Sequence, residues 1–93
     1  MMIECEQHGY YEAIQVSPDL REKIYASEKI DEYVLIQYEY NNKIANSFYL
    51  SPKYAAENGL QNESKLPLPD DYPEWVMSLV LVCKKCFGDC NKE

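Results

Sequence analysis

Two pairs of soft metal ligands with the same internal spacing stand about seventy-four residues apart, Cys5-Glu6-Gln7-His8-Gly9 near the start of the chain and Cys83-Lys84-Lys85-Cys86-Phe87-Gly88 near its end. Two residues between ligands let one tight turn aim both at a single ion. A glycine after the second ligand lets backbone amides approach a thiolate without a Cβ clash. If both pairs serve one ion they complete a tetrahedral site, and the chain must fold so that its first and last elements meet. The placement permits this: one pair precedes the first strand-like segment and the other follows the last, so antiparallel neighbours would bring both turns to one end of a sheet.

A chain of 93 residues has reason to use such a clip. It is read as a single metal-stabilised domain over residues 1–93, near the size at which apolar burial only just outweighs chain entropy and a metal, disulfides or a partner is often recruited. With 46% hydrophobic and 27% charged residues it has the composition of a folded globule rather than a disordered chain. Met1-Met2-Ile3-Glu4-Cys5 lacks the basic stretch and apolar core of a secretory leader, and no segment has the run of about 18 apolar residues that a membrane span needs, so a cytoplasmic protein without membrane contact is expected. In that reducing compartment clustered cysteines more often hold metal than form disulfides; a pair of disulfides, or inert thiols, is the competing reading.

Between the ligand pairs the pattern is mixed. Tyr10–Val16 reads as a strand ended by Ser17-Pro18, which starts a short helix over about residues 18–28 with Leu20 and Ile24 on one face. Tyr33–Tyr40 and Ile44–Leu50 flank Asn41-Asn42-Lys43, a hairpin signal because Asn tolerates positive φ. A three-residue loop pairing Tyr40 with Ile44 keeps Ile36 opposite Phe48 and Val34 opposite Leu50, whereas a two-residue loop opposing Tyr40 to Lys43 scatters the apolar set. Ser51-Pro52 repeats the proline helix start, and Gly59 suits the left-handed end of that second short helix. Residues 60–74, with Pro67, Pro69 and Pro73, read as a long surface loop, and Trp75–Val82 as a strand covered on both faces. The expected fold is therefore α+β: a small, largely antiparallel four-stranded sheet with two short helices and a zinc clip joining the termini.

The two ligand pairs resemble the knuckles of the zinc-ribbon group of folds, in which turns of the Cys-x2-Cys/His-Gly kind grip a metal above antiparallel strands. The resemblance covers residues 4–10 and 82–88 and implies a type of site, structural Zn²⁺, rather than an activity. Cys5, His8, Cys83 and Cys86 are the preferred ligands; an all-cysteine set of Cys5, Cys83, Cys86 and Cys90, with His8 left over, is the alternative. Three thiolates and one divalent ion add −1 to the chain's formal charge of −7. A four-ligand site has no open position for water, and His8, the sole histidine, leaves no second imidazole for acid–base work; the chain is read as not an enzyme.

The acidic balance, sixteen Asp and Glu against nine Lys and Arg, repels nucleic-acid phosphates and anionic lipids and favours a cationic partner. Nine tyrosines, concentrated in the strand-like segments, give a candidate docking face of Tyr11, Glu12, Tyr38, Glu39, Tyr40 and Tyr49. Tyrosine is equally a good strand former that fills a small core. The expectation is a protein-binding module that docks on a larger cationic protein, one that handles nucleic acid, without touching nucleic acid itself. In size and charge it is similar to small phage-encoded anti-defence inhibitors and toxin-immunity proteins. The alternative is a nucleic-acid-binding zinc ribbon of transcription or replication, for which Lys84 and Lys85 are the local support.

Overall fold

A computed structural model describes residues 2–60 and 64–90. The hairpin is built from β3 (Val34–Tyr40) and β4 (Lys43–Leu50), joined by Asn41 and Asn42 at φ 52° and 63°. Two consecutive left-handed residues make the turn whose twist matches the flanking strands. Tyr40 pairs with Lys43, so the loop has two residues and not three, yet Ile36 still faces Phe48 and Val34 still faces Leu50. A bulge between Tyr38 and Glu39 reconciles the two: pairing steps from Asn46 to Ile44 and leaves Ala45 over. That extra residue restores the apolar alternation that a plain two-residue loop would have lost.

The sheet is organised around β2 (Gly9–Val16). Its first half pairs antiparallel with β1 (Met2–Cys5), its second half antiparallel with β6 (Val80–Cys83), and Gln15 and Val16 pair parallel with Phe48 and Tyr49 of β4. On the far side β5 (Ser64–Pro67) runs parallel to β3. The four-stranded, largely antiparallel sheet with two helices is thus corrected, among the described residues, to a mixed six-stranded sheet with four helices, within the same α+β class. The physical reasons are local. The four residues of β1 have no pattern of their own and are held by β2, and β5 sits inside the proline-rich segment, whose Leu66 packs against the core. The expected Trp75–Val82 strand divides into helix α3 (Glu74–Met77), started at Pro73, and β6. Trp75 is drawn off the strand path by the Phe48 and Tyr38 rings, 5.7 and 6.3 Å away between centroids.

Each sheet face carries its own core. One unites Val34, Ile36, Tyr38, Phe48 and Leu50 beneath α3 and α2 (Pro52–Glu57). The other unites Val16 and Val82 with Leu20 and Ile24 of α1 (Pro18–Tyr25) and Phe87 of α4 (Lys84–Cys90). Phe87 is wedged between the rings of Tyr33 and Tyr49, at 5.3 and 5.0 Å.

Because β2 and β4 are parallel neighbours, they end together and their two Ser-Pro helix starts lie side by side. The Ser17 amide donates to the Tyr49 carbonyl at 3.0 Å, and the Ser51 amide donates to Ser17 Oγ at 3.0 Å. Ser51 caps α2 by accepting from the Tyr54 amide, whereas Ser17 makes no such cap. Its hydroxyl instead donates to Asp19 Oδ1 at 2.6 Å; Asp19 also accepts from the Leu20 amide and from the Ser51 hydroxyl. Burial works against the Asp19 charge, but the hydrogen bonds from Ser17, Ser51 and Leu20 outweigh it and hold its pKa below the ordinary 3.8. Asp19→Ala, which leaves two buried hydroxyls without their acceptor, is expected to lower unfolding free energy in urea titrations by about 1–3 kcal/mol. Since the folded-state pKa is depressed, this stabilisation is present above the ordinary carboxyl value and is lost as pH falls through the folded one. The gap in stability between parent and variant should accordingly narrow in acid; an unchanged gap would show that the charge does not contribute.

Candidate metal centre

Cys5 closes β1 opposite Gly9, and the chain turns through Glu6, Gln7 and His8 between them. Gly9 has φ +72°, a conformation that side chains with a Cβ rarely adopt, so the glycine is what lets the turn close directly behind His8. The second pair is built differently. Cys83 is the last residue of β6, opposite Ala13 of β2, and Cys86 lies in the first turn of α4. Gly88 is inside that helix and has no positive φ, so the second half is a strand-to-helix junction and not a second glycine-dependent knuckle. Half of the two-knuckle arrangement that the zinc-ribbon resemblance implies is therefore replaced by a helix start.

These elements bring Cys5, His8, Cys83 and Cys86 together, with all four ligand atoms within 4.8 Å of one another. His8 Nδ1 lies 3.5, 3.7 and 3.3 Å from the sulfurs of Cys5, Cys83 and Cys86, and the Cys5 and Cys86 sulfurs are 3.4 Å apart. Bonds of about 2.3 Å to sulfur and about 2.0–2.1 Å to nitrogen place the donors of a tetrahedral ion roughly 3.6–3.8 Å apart. These four separations match that spacing to a few tenths of an ångström. All four cysteines are free, and 3.4 Å between two sulfurs is far from the ~2.05 Å of a disulfide. The group is able to coordinate a metal ion.

Electrostatics point the same way. The Cys5 thiol is held down at about 6, chiefly by the Gln7 backbone amide, with burial opposing and Cys86 and His8 assisting. The Cys86 thiol is pushed up to about 12, first by burial and then by its hydrogen bond with Cys5 and the charges of Cys83 and Cys5. One thiolate thus forms readily and makes the next one costly. A dication among the three sulfurs removes that repulsion and lets all three ionise.

Asp89 was not among the residues that spacing pointed to. Its carboxylate lies 3.1 Å from His8 Nε2, on the ring nitrogen opposite the one that faces the sulfurs. A carboxylate there fixes the imidazole orientation and its tautomer, leaving Nδ1 to ligate. The signal for it was conditional on recognising α4: Asp89 follows Cys86 by three residues, which puts the two on one side of a helix but not of a turn. Cys90 stands apart from the cluster; its sulfur faces the Ile24 carbonyl at 3.8 Å, and burial followed by the Asp89 charge raises its pKa.

The candidate docking residues are scattered. Tyr38 is buried in the core and Tyr49 packs on Tyr33 and Phe87, on the opposite face of the sheet. Tyr11, Glu12 and Tyr40 are exposed, while Glu39, half-buried, lies 3.8 Å from Lys65 Nζ. Glu12 pairs with Lys84 at 3.4 Å. Among the described residues no helix is long and apolar enough to cross a membrane. Comparison of the chain with family models, with curated proteins and with solved structures finds no match.

Removing the carboxylate behind a ligating histidine commonly weakens metal binding by about 10–100-fold. Asp89→Ala should do so in competition with a chromophoric chelator, whereas Cys90→Ser should leave affinity within about two-fold. The reverse ranking would establish Cys90 as a ligand in place of His8.

Proposed function

We propose that the protein is a zinc-stabilised, non-catalytic binding module whose acidic surface docks on a cationic site of a larger, nucleic-acid-handling protein, in the manner of small anti-defence or immunity-type inhibitors. The observation that carries the reading is the donor set: three sulfurs and one imidazole nitrogen within 4.8 Å of one another, drawn from segments at opposite ends of the sequence. Thiolate and imidazole in a tetrahedron suit Zn²⁺ above harder or square-planar ions, and four protein ligands leave no position for a reacting water. The ion then acts on the fold, holding β1, β6 and α4 together, and function falls to the surface.

That surface is strongly acidic, at −7 before the site is counted, which supports a cationic protein as partner and opposes direct phosphate contact. The nucleic-acid alternative leans on Lys84 and Lys85, and Lys84 is already paired with Glu12. With Tyr38 in one core and Tyr49 packed against the other, the docking set comes down to exposed Tyr11, Glu12 and Tyr40 and half-buried Glu39.

Native mass spectrometry of protein purified without chelator should give one zinc per chain, lost in Cys86→Ser and on acid denaturation. Chelation should lower the thermal midpoint in a manner reversed by added zinc. Pull-down from nuclease-treated lysate should recover a stoichiometric basic protein. Tight, salt-sensitive binding of an oligonucleotide in its place would favour the nucleic-acid reading.

A further inference from the structure

A cavity of about 710 Å³ opens beside the cysteine–histidine cluster, between the β1–β2 turn, the C-terminal end of α1 and α4. Its floor is apolar, with Ile24 buried and Ile3 half-buried, and the Tyr25 ring forms part of its wall. Three carboxylates, Glu4, Glu6 and Asp89, stand around it against one base, Lys29. Lys29 pairs with Asp31 at 3.5 Å and Asp89 with His8, while among the described residues Glu4 and Glu6, both exposed, have no ion-pair partner. Cys5, Cys83 and Cys86 line the same cavity, so the thiolate-rich side of the cluster adds negative potential.

The other cleft, about 290 Å³ between Phe48, Tyr72, Val76 and Met77, carries no carboxylate and nothing that selects an occupant by charge. Apolar floor, acidic rim and a volume within the ordinary range of ligand sites coincide only in the first.

We infer that this groove receives a short segment of the cationic partner, presenting an arginine or lysine to Glu4 and Glu6 and an adjacent aliphatic side chain to Ile3 and Ile24. This rests on the reading of the protein as a module for cationic protein partners, and it assigns the docking site to the groove beside the Cys5–His8 turn rather than to Glu39 and Tyr40 next to the hairpin turn. An aliphatic side chain on the floor excludes water from beside the carboxylates, which strengthens their pairing with the cation.

The test uses the zinc-loaded full chain and a labelled seven-residue peptide of alternating arginine and leucine, followed by fluorescence polarisation and by amide chemical shifts. Binding is expected with shifts confined to the neighbourhood of Ile3, Glu6, Ile24 and Tyr25. It should weaken at least ten-fold when glycine replaces leucine at equal charge, and at least ten-fold in the Glu4→Lys/Glu6→Lys double variant. Zinc content by native mass spectrometry checks that this variant keeps its site; Glu4→Gln/Glu6→Gln repeats the test with a smaller perturbation. Equal binding of the glycine and leucine peptides, or shifts spread over all acidic surfaces, would overturn the groove by showing only diffuse attraction. If the protein partner from lysate is lost in Glu39→Lys/Tyr40→Ala but retained in Glu4→Lys/Glu6→Lys, the groove is wrong and the binding-module reading stands. Absence of any protein partner, with oligonucleotide bound instead, would overturn both.

Discussion

The antiparallel pairing of β2 with β6 is the constraint on which the rest of the molecule depends. It sets Cys83 opposite Ala13, four residues along the strand from Gly9, and so brings the late ligand pair to the turn that holds the early one. Without it the donors belong to segments separated by most of the chain, and closing so long a loop carries an entropic cost that no single contact repays. The pairing and an ion bound at the cluster would support each other. The strands order the donors, and an ion bound to donors ordered only in the folded chain adds its binding free energy to folding.

The same strand explains why the molecule has two modest cores rather than one large one. β2 contributes Val16 and Ile14 to the face beneath α1 and α4, while Gln15, next to Phe48 of β4, points to the face beneath α2 and α3. Parallel alignment of β2 and β4 puts the two Ser-Pro helix starts in register, and the buried Ser17 and Ser51 hydroxyls converge on one Asp19 carboxylate. That carboxylate links the start of a helix on one face to the start of a helix on the other, a connection apolar contacts across the sheet could not make as specifically. The interior of the sheet is thereby tied at both ends, by Asp19 at one and by the sulfur cluster at the other.

What could be read from residues alone follows how local the determining physics is. The left-handed Asn41-Asn42 pair, the Gly59 helix end at φ +67°, and the proline starts of α1 and α2 are decided within a few residues and appear where those residues place them, although the loop has two residues rather than three and α1 ends at Tyr25 rather than near residue 28. The ligand spacing was legible for the same reason, since Cys-x2-His is set by a turn and Cys-x2-Cys by a strand-to-helix junction, each within a few residues. Elements decided by distant neighbours were not legible. β1 exists because β2 offers it a ladder, β5 because Leu66 finds the core beside Tyr38, and α3 because Trp75 finds Phe48. The hairpin lay between these cases: either loop length satisfied the local rules, and the bulge that reconciles them is imposed by the need to keep Ile36 over Phe48.

The asymmetry of the metal cluster has a consequence for how surface and site divide the work. Cys5 and His8 come from a hairpin turn whose flanking strand residues are exposed or half-buried, whereas Cys83 and Cys86 come from a strand and helix anchored by Val82 and Phe87 in a core. The C-terminal half is therefore the fixed support and the N-terminal half the part that depends on being clipped. His8 is reached by Asp89 from the supported side, so the least anchored ligand is the one given an outside partner. An ion held there would act mainly on the order of the first strand and its turn. Glu4 stands at the end of that strand and Glu6 in that turn, so an ion held by the cluster would also fix the acidic rim of the adjoining cavity.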